Sequence, residues 1–377
     1  MIFLNLKINN IYMFKDTFID FTYPKKITDS TIEAEFLTNF PNIKYKKVCI
    51  LIGANASGKT TLGRVMCAIN NYLLGVPLEH VKEVIHDKTK NASIDVTYIT
   101  PNTGTIHALK IEFDQSGLLF ESYKKNSLRV SKSLNKTLKD LENSSFHFLF
   151  ERNKENYGIK NPGFTSVARL KGIVLDSEET SYWNYLYSDF KTSSNNFEHN
   201  NILLLEAILK SFDTSINKVS PIPKSKSSYI IEFKNSDTVT IDNGNILNDK
   251  RLSRGTLESI EVAGFIHQII QGKNASGTYF LDEKMAYSHS EIEVAMLNLM
   301  IERLNNQSQL FYTTHNYDIL EMNLPSHCYI FMKKEEFIQV SHPEKLGYTK
   351  NDRSLLGYVK NNVFNTLPDT SNIDELL

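Results

Sequence analysis

The sequence predicts an α/β fold with a mixed central sheet, an N-terminal antiparallel β element and an inserted, mainly helical lobe. Three observations carry this expectation. Val48–Ile52 is a wholly apolar run that stops at a glycine and is followed by a helix-periodic segment. Alternating stretches fall between Ser93 and Tyr123, and strand and helix patterns alternate again after Tyr229. A short apolar run bounded by turn formers is the mark of a buried strand, and alternation of strand with helix implies parallel pairing.

Each element follows from its own pattern. Phe3, Leu4, Leu6 and Ile8, then Phe18, Ile19 and Phe21, fit two short strands joined by a turn, ahead of a lysine-containing segment from Pro24 to Lys47. Val48–Ile52 is the buried strand, and Leu62, Val65, Met66, Ile69 and Leu73 recur with helical period. Ser93 to Tyr98, Ile106 to Phe113 and Leu118 to Tyr123, separated by Pro101-Asn102 and Asp114–Gly117, predict an antiparallel accessory sheet. From Ser127 to Ser220 the pattern turns helical and irregular, with loop-like polar stretches at Asn153–Asn156 and Ser193–Asn201, and Pro221–Ser227 reads as a linker.

The pattern then becomes regular again. Tyr229–Phe233 and Thr238–Ile241 predict a hairpin; Leu257–Ile270 a helix; Thr278–Leu281 a strand; Glu291–Leu304 a helix; Leu310–Thr313 and Tyr329–Met332 further strands. The expected organisation is a first core part at residues 1–126, an inserted lobe and linker at 127–227, and a second core part at 228–377. No internal repeat is present.

Composition narrows the class. A chain of 377 residues suffices for one large domain with an insertion or for two modest ones, and 41% hydrophobic with 23% charged residues excludes wholesale disorder. Apolar runs end after one strand length, so no membrane span is expected. The start, Met1–Lys7, has neither a basic region nor a continuous apolar stretch, which predicts a cytoplasmic product. Three cysteines, Cys49, Cys67 and Cys328, lack CxxC spacing and predict buried thiols rather than a disulfide framework or a zinc site. A formal charge of −1 gives no global attraction to nucleic acid, so such binding would need a local patch.

Four segments carry chemistry. Gly53-Ala54-Asn55-Ala56-Ser57-Gly58-Lys59-Thr60 satisfies GxxxxGK[ST] between a strand and a helix, with Thr61 following. Glycines let backbone N–H groups wrap phosphates at a helix N-terminus; Lys59 can reach β and γ oxygens, and the Thr60 hydroxyl can ligate Mg²⁺. Tyr279-Phe280-Leu281-Asp282-Glu283 is an apolar strand ending in two carboxylates, Asp282 suited to the metal and Glu283 to an attacking water. Taken alone, such a pair is more often a cap or a solvated turn; the phosphate loop changes those odds. Leu252-Ser253-Arg254-Gly255-Thr256 precedes an apolar helix, so Ser253 can cap it and, with Gly255, present an anion site. Thr313-Thr314-His315-Asn316 sets a histidine at a strand end, where it can sense a γ-phosphate through a hydrogen bond.

The order of these four motifs resembles the ABC ATPase superfamily. The opening Leu4–Asn10 with Phe14 and Phe18, and the NxSGKT form of Asn55–Thr60, look like its SMC/RecF branch. The likeness covers residues 1–115 and 228–350 and is nearest to stand-alone bacterial ATPases of phage-defence systems, of the overcoming-lysogenisation type without the TOPRIM nuclease. It implies an ABC-type ATPase using ATP and Mg²⁺, with two copies enclosing two nucleotides. Ser253 and Gly255 of each copy then meet the γ-phosphate in its mate. It further implies a sensor or switch for a separate effector such as a nuclease. Alternatives are a RecF/SMC-like DNA-clamping ATPase, a transporter subunit and a slow scaffold. The Q-loop glutamine has no match in Ser93–Ile99, and Lys284–Ser290 stands where the D-loop belongs.

Two further groups remain. Lys124, Lys125, Arg129, Lys132, Lys136 and Lys139 run without an intervening acid, the last four at helical spacing; nucleic-acid backbone binding is possible, with a solvated basic face preferred. Tyr182, Trp183, Tyr185, Tyr187 and Phe190 could stack on bases but read better as lobe core.

Overall fold

The computed structural model describes residues 1–27, 30–73, 76, 83–152, 182–188, 202–223, 225, 227–272, 276–286, 288–349 and 354–367. In chain order the described elements begin with β1 (Ile2–Asn9), β2 (Thr17–Asp20), β3 (Phe36–Leu37), β4 (Phe40–Lys44), β5 (Val48–Ile52) and α1 (Lys59–Leu73). Next come β6 (Ala92–Thr100), β7 (Thr105–Asp114), β8 (Gly117–Ser127), α2 (Leu134–Glu142), β9 (Phe148–Glu151) and β10 (Tyr182–Leu186). They continue with α3 (Ile202–Phe212), β11 (Ile216–Pro221), β12 (Tyr229–Phe233), β13 (Thr238–Asp242), β14 (Asn245–Leu247) and α4 (Arg254–Gln271). The last are β15 (Gly277–Asp282), α5 (Ser290–Arg303), β16 (Gln309–Thr314), β17 (Tyr329–Lys334), β18 (Ile338–Ser341) and α6 (Leu356–Lys360).

The chain divides into two compact units: Met1–Tyr185, Ala275–Phe280 and Asn306–Leu377 form the first, and Leu186–Asn274 with Leu281–Asn305 the second. Two six-stranded sheets build the first unit. One is antiparallel, in the order β2-β1-β6-β7-β8-β9; the other runs β10-β15-β16-β5-β17-β18 and takes in the Gly277–Phe280 part of β15. β5, all five residues of which are buried, lies between β16 and β17 and pairs with both in parallel. A strand covered on both faces and both edges must be apolar throughout, which is why this run shows no alternation.

A buried glutamine staples the two sheets. Gln309 opens β16 with no exposed surface; its Oε1 accepts from the Phe3 amide at 2.8 Å, and its Nε2 donates to the carbonyls of Phe3 at 3.2 Å and Lys46 at 2.9 Å. Nearby, Phe3, Phe21 and Phe311 stack edge to face with centroids 5.2–6.5 Å apart. Replacing Gln309 with Leu keeps the volume but takes its amide from three buried backbone groups, of which the Lys46 carbonyl keeps only the weak Cys49 thiol donor at 3.8 Å. The variant is expected to lose about 3 kcal/mol of stability, at roughly 1–3 kcal/mol for each unsatisfied group. A urea midpoint equal to wild type would refute the staple.

α1 ties the loop that precedes it to both sheets. Gly63 lies so close to β15 that a Cβ there would sit 2.4 Å from the Phe280 ring, and Asn70 donates to the Tyr185 hydroxyl at 2.8 Å. Tyr72 donates to Glu121 on β8 at 2.6 Å. In the antiparallel sheet His107 is sealed between the Thr100 and Tyr123 hydroxyls, each 2.7 Å away. Burial pushes its pKa down to about 3, so the ring is neutral and both nitrogens are satisfied.

In the second unit, β11-β12-β13-β14 form an antiparallel sheet, and α3 and α4 are its long helices besides α5. The hairpin expected at Tyr229–Ile241 is β12–β13, with Tyr229 opposite Ile241.

Several expectations need correction. Pro221 ends β11 opposite Tyr229, so the Pro-rich stretch starts as a sheet strand rather than a linker; edge position tolerates the missing N–H. The basic run does not form one helical face: Lys124 and Lys125 belong to β8, and only Lys136 and Lys139 lie on α2. Lys132 is ion-paired with Asp140, and Lys124 Nζ caps the Glu142 carbonyl at 2.6 Å. Tyr182, Trp183 and Tyr185 are not lobe core but part of β10, the edge strand of the central sheet, where Tyr185 stacks on Phe280 at 5.6 Å. The strand expected at Ser93–Tyr98, which holds no Q-loop glutamine, is present within β6 and paired on both sides, by β1 and β7. The described residues of 127–227 contribute α2, α3 and β9–β11. The expected loops at Asn153–Asn156 and Ser193–Asn201, together with Phe190, lie outside the described residues. No described helix is long and apolar enough to cross a membrane.

Candidate functional site

The glycine-rich segment connects β5 to α1, and its conformation follows from its residue types. Gly53 leaves the strand against β17: a Cβ there would lie 2.1 Å from the Met332 carbonyl oxygen and 2.7 Å from Ser57 Oγ, so only glycine fits. Ala56 and Gly58 adopt left-handed backbone, φ 61° and 99°, which turns the loop back on itself. The Ser57 amide closes this turn onto the Ala54 carbonyl at 3.2 Å, and Leu62 begins the helical ladder on Gly58.

Lys59 is almost wholly buried, and its ammonium turns into the loop, donating to the carbonyls of Gly53 at 2.7 Å and Ala54 at 3.1 Å. Ser57 Oγ is 3.5 Å away. An ammonium placed at the base of a folded-back loop suits an incoming phosphate, since charge-assisted hydrogen bonds to phosphate oxygens are strong. Asn55 and Ala56 at the loop tip are exposed, and Thr60 is half-buried at the start of α1. The residues present therefore fit a polyphosphate: a folded-back loop, a helix N-terminus and a lysine at its base.

Strand register sets His315 beside this loop. Thr314 of β16 pairs with Ile52 of β5, so His315 and Gly53 leave adjacent parallel strands at the same level. His315 is exposed, and its turn is stiffened by Asn316, whose amide donates to Thr314 Oγ1 and whose side chain accepts from Asp318, both at 2.9 Å. Parallel pairing of β16 with β5 is a long-range contact that the motif alone does not reveal.

The second unit carries the residues of the other two motifs, Asp282 with Glu283 and Ser253 with Gly255. Asp282, with no exposed surface, ends β15; its Oδ2 accepts from Ser188 Oγ at 3.1 Å and lies 3.5 Å from the Ser188 amide. Glu283, half-buried, has φ 48°. A long acidic side chain rarely occupies that region, and such strain commonly marks a residue whose position is dictated by function. Lys284 is buried and donates to Glu261 of α4 at 2.6 Å, fixing the segment after the carboxylates to that helix. Ser288 folds back on Met285 with Oγ 2.7 Å from its carbonyl, and His289 precedes α5; Tyr287 lies outside the described residues.

Ser253 is the N-cap of α4, its Oγ accepting from the Thr256 amide at 3.1 Å. Thr256 is buried, and its hydroxyl is 2.7 Å from Ser253 Oγ and donates to Asp213 at 3.1 Å. Ser253 itself is exposed and Gly255 half-exposed, so the helix start presents its face to solvent. Burial raises the Glu258 carboxyl one turn later, against the pull of Arg254 and Lys284.

Ser188 and the Lys284–Glu261 pair were missed in the sequence reading. Neither belongs to a recognisable motif, and each acts through a partner far along the chain.

No family model matches the sequence, and no curated protein is matched. Among solved structures the chain is similar to one described as the SmcHead bound to the C-winged helix domain of ScpA, at 13% identity and TM-score 0.52, covering 92% of this chain and 99% of that one. It is also similar to the SMC head domain from Thermotoga maritima, at 10% identity and TM-score 0.39, covering 91% and 99%. Only the first is near enough to establish a fold: the chain has the ABC-type P-loop fold of an SMC head.

Proposed function

We propose that this chain, folded as an SMC head, binds and hydrolyses ATP with Mg²⁺ and pairs with a second copy of itself while nucleotide is bound. The observation that carries the reading is the register of β16 on β5, which brings His315 to the mouth of the loop that buries Lys59. A phosphate loop alone binds many things; a phosphate loop with a histidine on the neighbouring strand end can report whether a γ-phosphate is present.

In this reading the run Gly53–Thr61 cradles the phosphates, and Lys59 leaves the loop carbonyls for the β and γ oxygens. Within the first unit Thr60 would offer its hydroxyl to Mg²⁺; within the second, Asp282 is the carboxylate that would take a metal, with Ser188 orienting it. Bound Mg²⁺ would neutralise charge that develops on the phosphates. Glu283 positions and deprotonates the attacking water. Ser253 and Gly255 of one copy complete the site of the other, so nucleotide holds the pair together and hydrolysis releases it. Positioned charge suffices for phosphoryl transfer, and no nucleophilic side chain is needed.

The pair is then a switch, and the resemblance to phage-defence ATPases supports a separate effector, such as a nuclease, as its output. A second reading, a DNA-clamping ATPase of SMC type, is favoured by the SMC-head fold itself. ATP-stimulated duplex binding that weakens steeply with salt would select the second over the first.

The test is direct. Wild-type protein is expected to release phosphate from Mg-ATP and to sediment as a dimer when ATP is present. Lys59→Ala is expected to bind nucleotide on the order of 10²-fold more weakly, the usual consequence of removing one partner of a buried charge pair. Wild-type protein that binds no ATP in equilibrium dialysis would end the proposal.

A further inference from the structure

A buried trio in the first unit has no part in the nucleotide chemistry. Glu35 lies just before β3, and His327 and Cys328 share a one-turn 3₁₀ segment, Ser326–Cys328, that leads into β17. Although Glu35 and His327 are 292 residues apart, the three offer a carboxylate oxygen, an imidazole nitrogen and a sulfur all within 4.8 Å of one another. His327 and Cys328 have no exposed surface, and Glu35 has 4%.

The arrangement is not a satisfied hydrogen-bond pair. His327 Nε2 sits 2.9 and 3.1 Å from the two Glu35 oxygens, and Ser30 Oγ donates to one of them at 2.6 Å. The other ring nitrogen, Nδ1, is buried without a partner, as is Ser326 Oγ on the same turn. A neutral ring leaves Nδ1 as a lone pair with no donor; a protonated ring leaves it as an N–H with no acceptor. Either state strands a polar atom, which native interiors seldom tolerate without a ligand or an ion.

We propose that Glu35, His327 and Cys328 form a site for a divalent cation of the zinc class. Sulfur, imidazole and carboxylate together select a borderline-soft ion, whereas Mg²⁺ and Ca²⁺ take oxygen ligands. Tetrahedral bonds of about 2.0–2.3 Å place ligand atoms roughly 3.3–3.8 Å apart, and the trio's ligand atoms, none more than 4.8 Å from another, are already near that spacing. One thiolate and one carboxylate balance the two positive charges. Binding forms the sulfur–metal bond and sends the thiol proton to solvent; the imidazole keeps one N–H on its unbound nitrogen. Burial holds the Cys328 thiol well above its usual value, so the metal-free sulfur is protonated and unreactive. Tyr23, whose ring packs against His327 at 4.9 Å, also lines a cavity of about 710 Å³.

Cobalt reports the site independently of ATP turnover. The full chain, stripped with a chelator and kept free of nucleotide, is titrated with Co²⁺. The expected result is a thiolate-to-cobalt charge-transfer band that saturates at one ion per chain and is displaced by Zn²⁺ but not by Mg²⁺. Cys328→Ser is expected to lose the band and Cys67→Ser to keep it, with folding checked by circular dichroism. His327→Gln should weaken Co²⁺ on the order of 10²-fold. No band in the wild type, a band that survives Cys328→Ser, or displacement by Mg²⁺ as readily as by Zn²⁺ would each overturn the site. The wild-type titration decides even where a variant folds poorly.

Discussion

Glu283→Gln is expected to lower steady-state phosphate release by about 10²–10⁴-fold, the range that a positioned general base contributes. Nucleotide binding should change little, because the amide keeps the shape and loses only the ability to take a proton. The position is informative because the backbone at Glu283 is left-handed, φ 48°, where glycine would fit without strain. The residue is half-buried, and its neighbours on both sides are fixed: Asp282 by Ser188, Lys284 by Glu261. A carboxylate clamped between two anchored residues cannot drift, which is what orienting a water demands. With hydrolysis blocked, the ATP-bound pair should accumulate, and sedimentation with ATP should show a dimer that persists long after the wild type has returned to monomer. Equal slow turnover in both proteins would instead favour a scaffold, with Glu283 held in place for structural reasons.

The pattern of residues told most where contacts are local. Alternation between Ser93 and Tyr123 read directly into β6, β7 and β8, since a strand half-covered on one face must alternate. The run Val48–Ile52 ending at Gly53 read into β5 and its loop for the opposite reason, coverage on both faces. What escaped depends on partners far along the chain. Nothing local marks Gln309 as the staple between sheets, because its three acceptor and donor groups belong to Phe3 and Lys46. Nor does the spacing of Cys328 suggest a ligand, because the carboxylate that faces His327 comes from the opposite end of the sequence. The aromatic cluster at Tyr182–Tyr185 misled for a related reason. A sheet edge and a lobe core both favour aromatic side chains, and only the pairing of β10 beside β15 distinguishes them. In the candidate site the loop was legible from its glycines and lysine, whereas the closeness of His315 to Gly53 required knowing that β16 lies against β5.

Ser253→Arg separates a capping role from a role in the partner's site. As a cap, Ser253 satisfies one backbone N–H, and its loss costs about 1 kcal/mol, with Thr256 still anchored to Asp213. As a γ-phosphate ligand across a dimer, its replacement by a bulky cation should abolish ATP-dependent pairing and lower turnover by about 10²–10³-fold, as expected for deleting a donor aimed at transition-state charge. A drop in thermal stability with turnover intact would therefore identify a cap and nothing more. The decisive experiment mixes Ser253→Arg with Lys59→Ala. If each nucleotide is enclosed by the Lys59 loop of one chain and the Ser253 helix start of the other, a mixed pair concentrates both lesions in one site and leaves the second intact. Two inactive proteins should then regain measurable hydrolysis on mixing, in proportion to the mixed pairs formed. If both residues instead served the same nucleotide within one chain, every site in the mixture would carry a lesion and no activity would return.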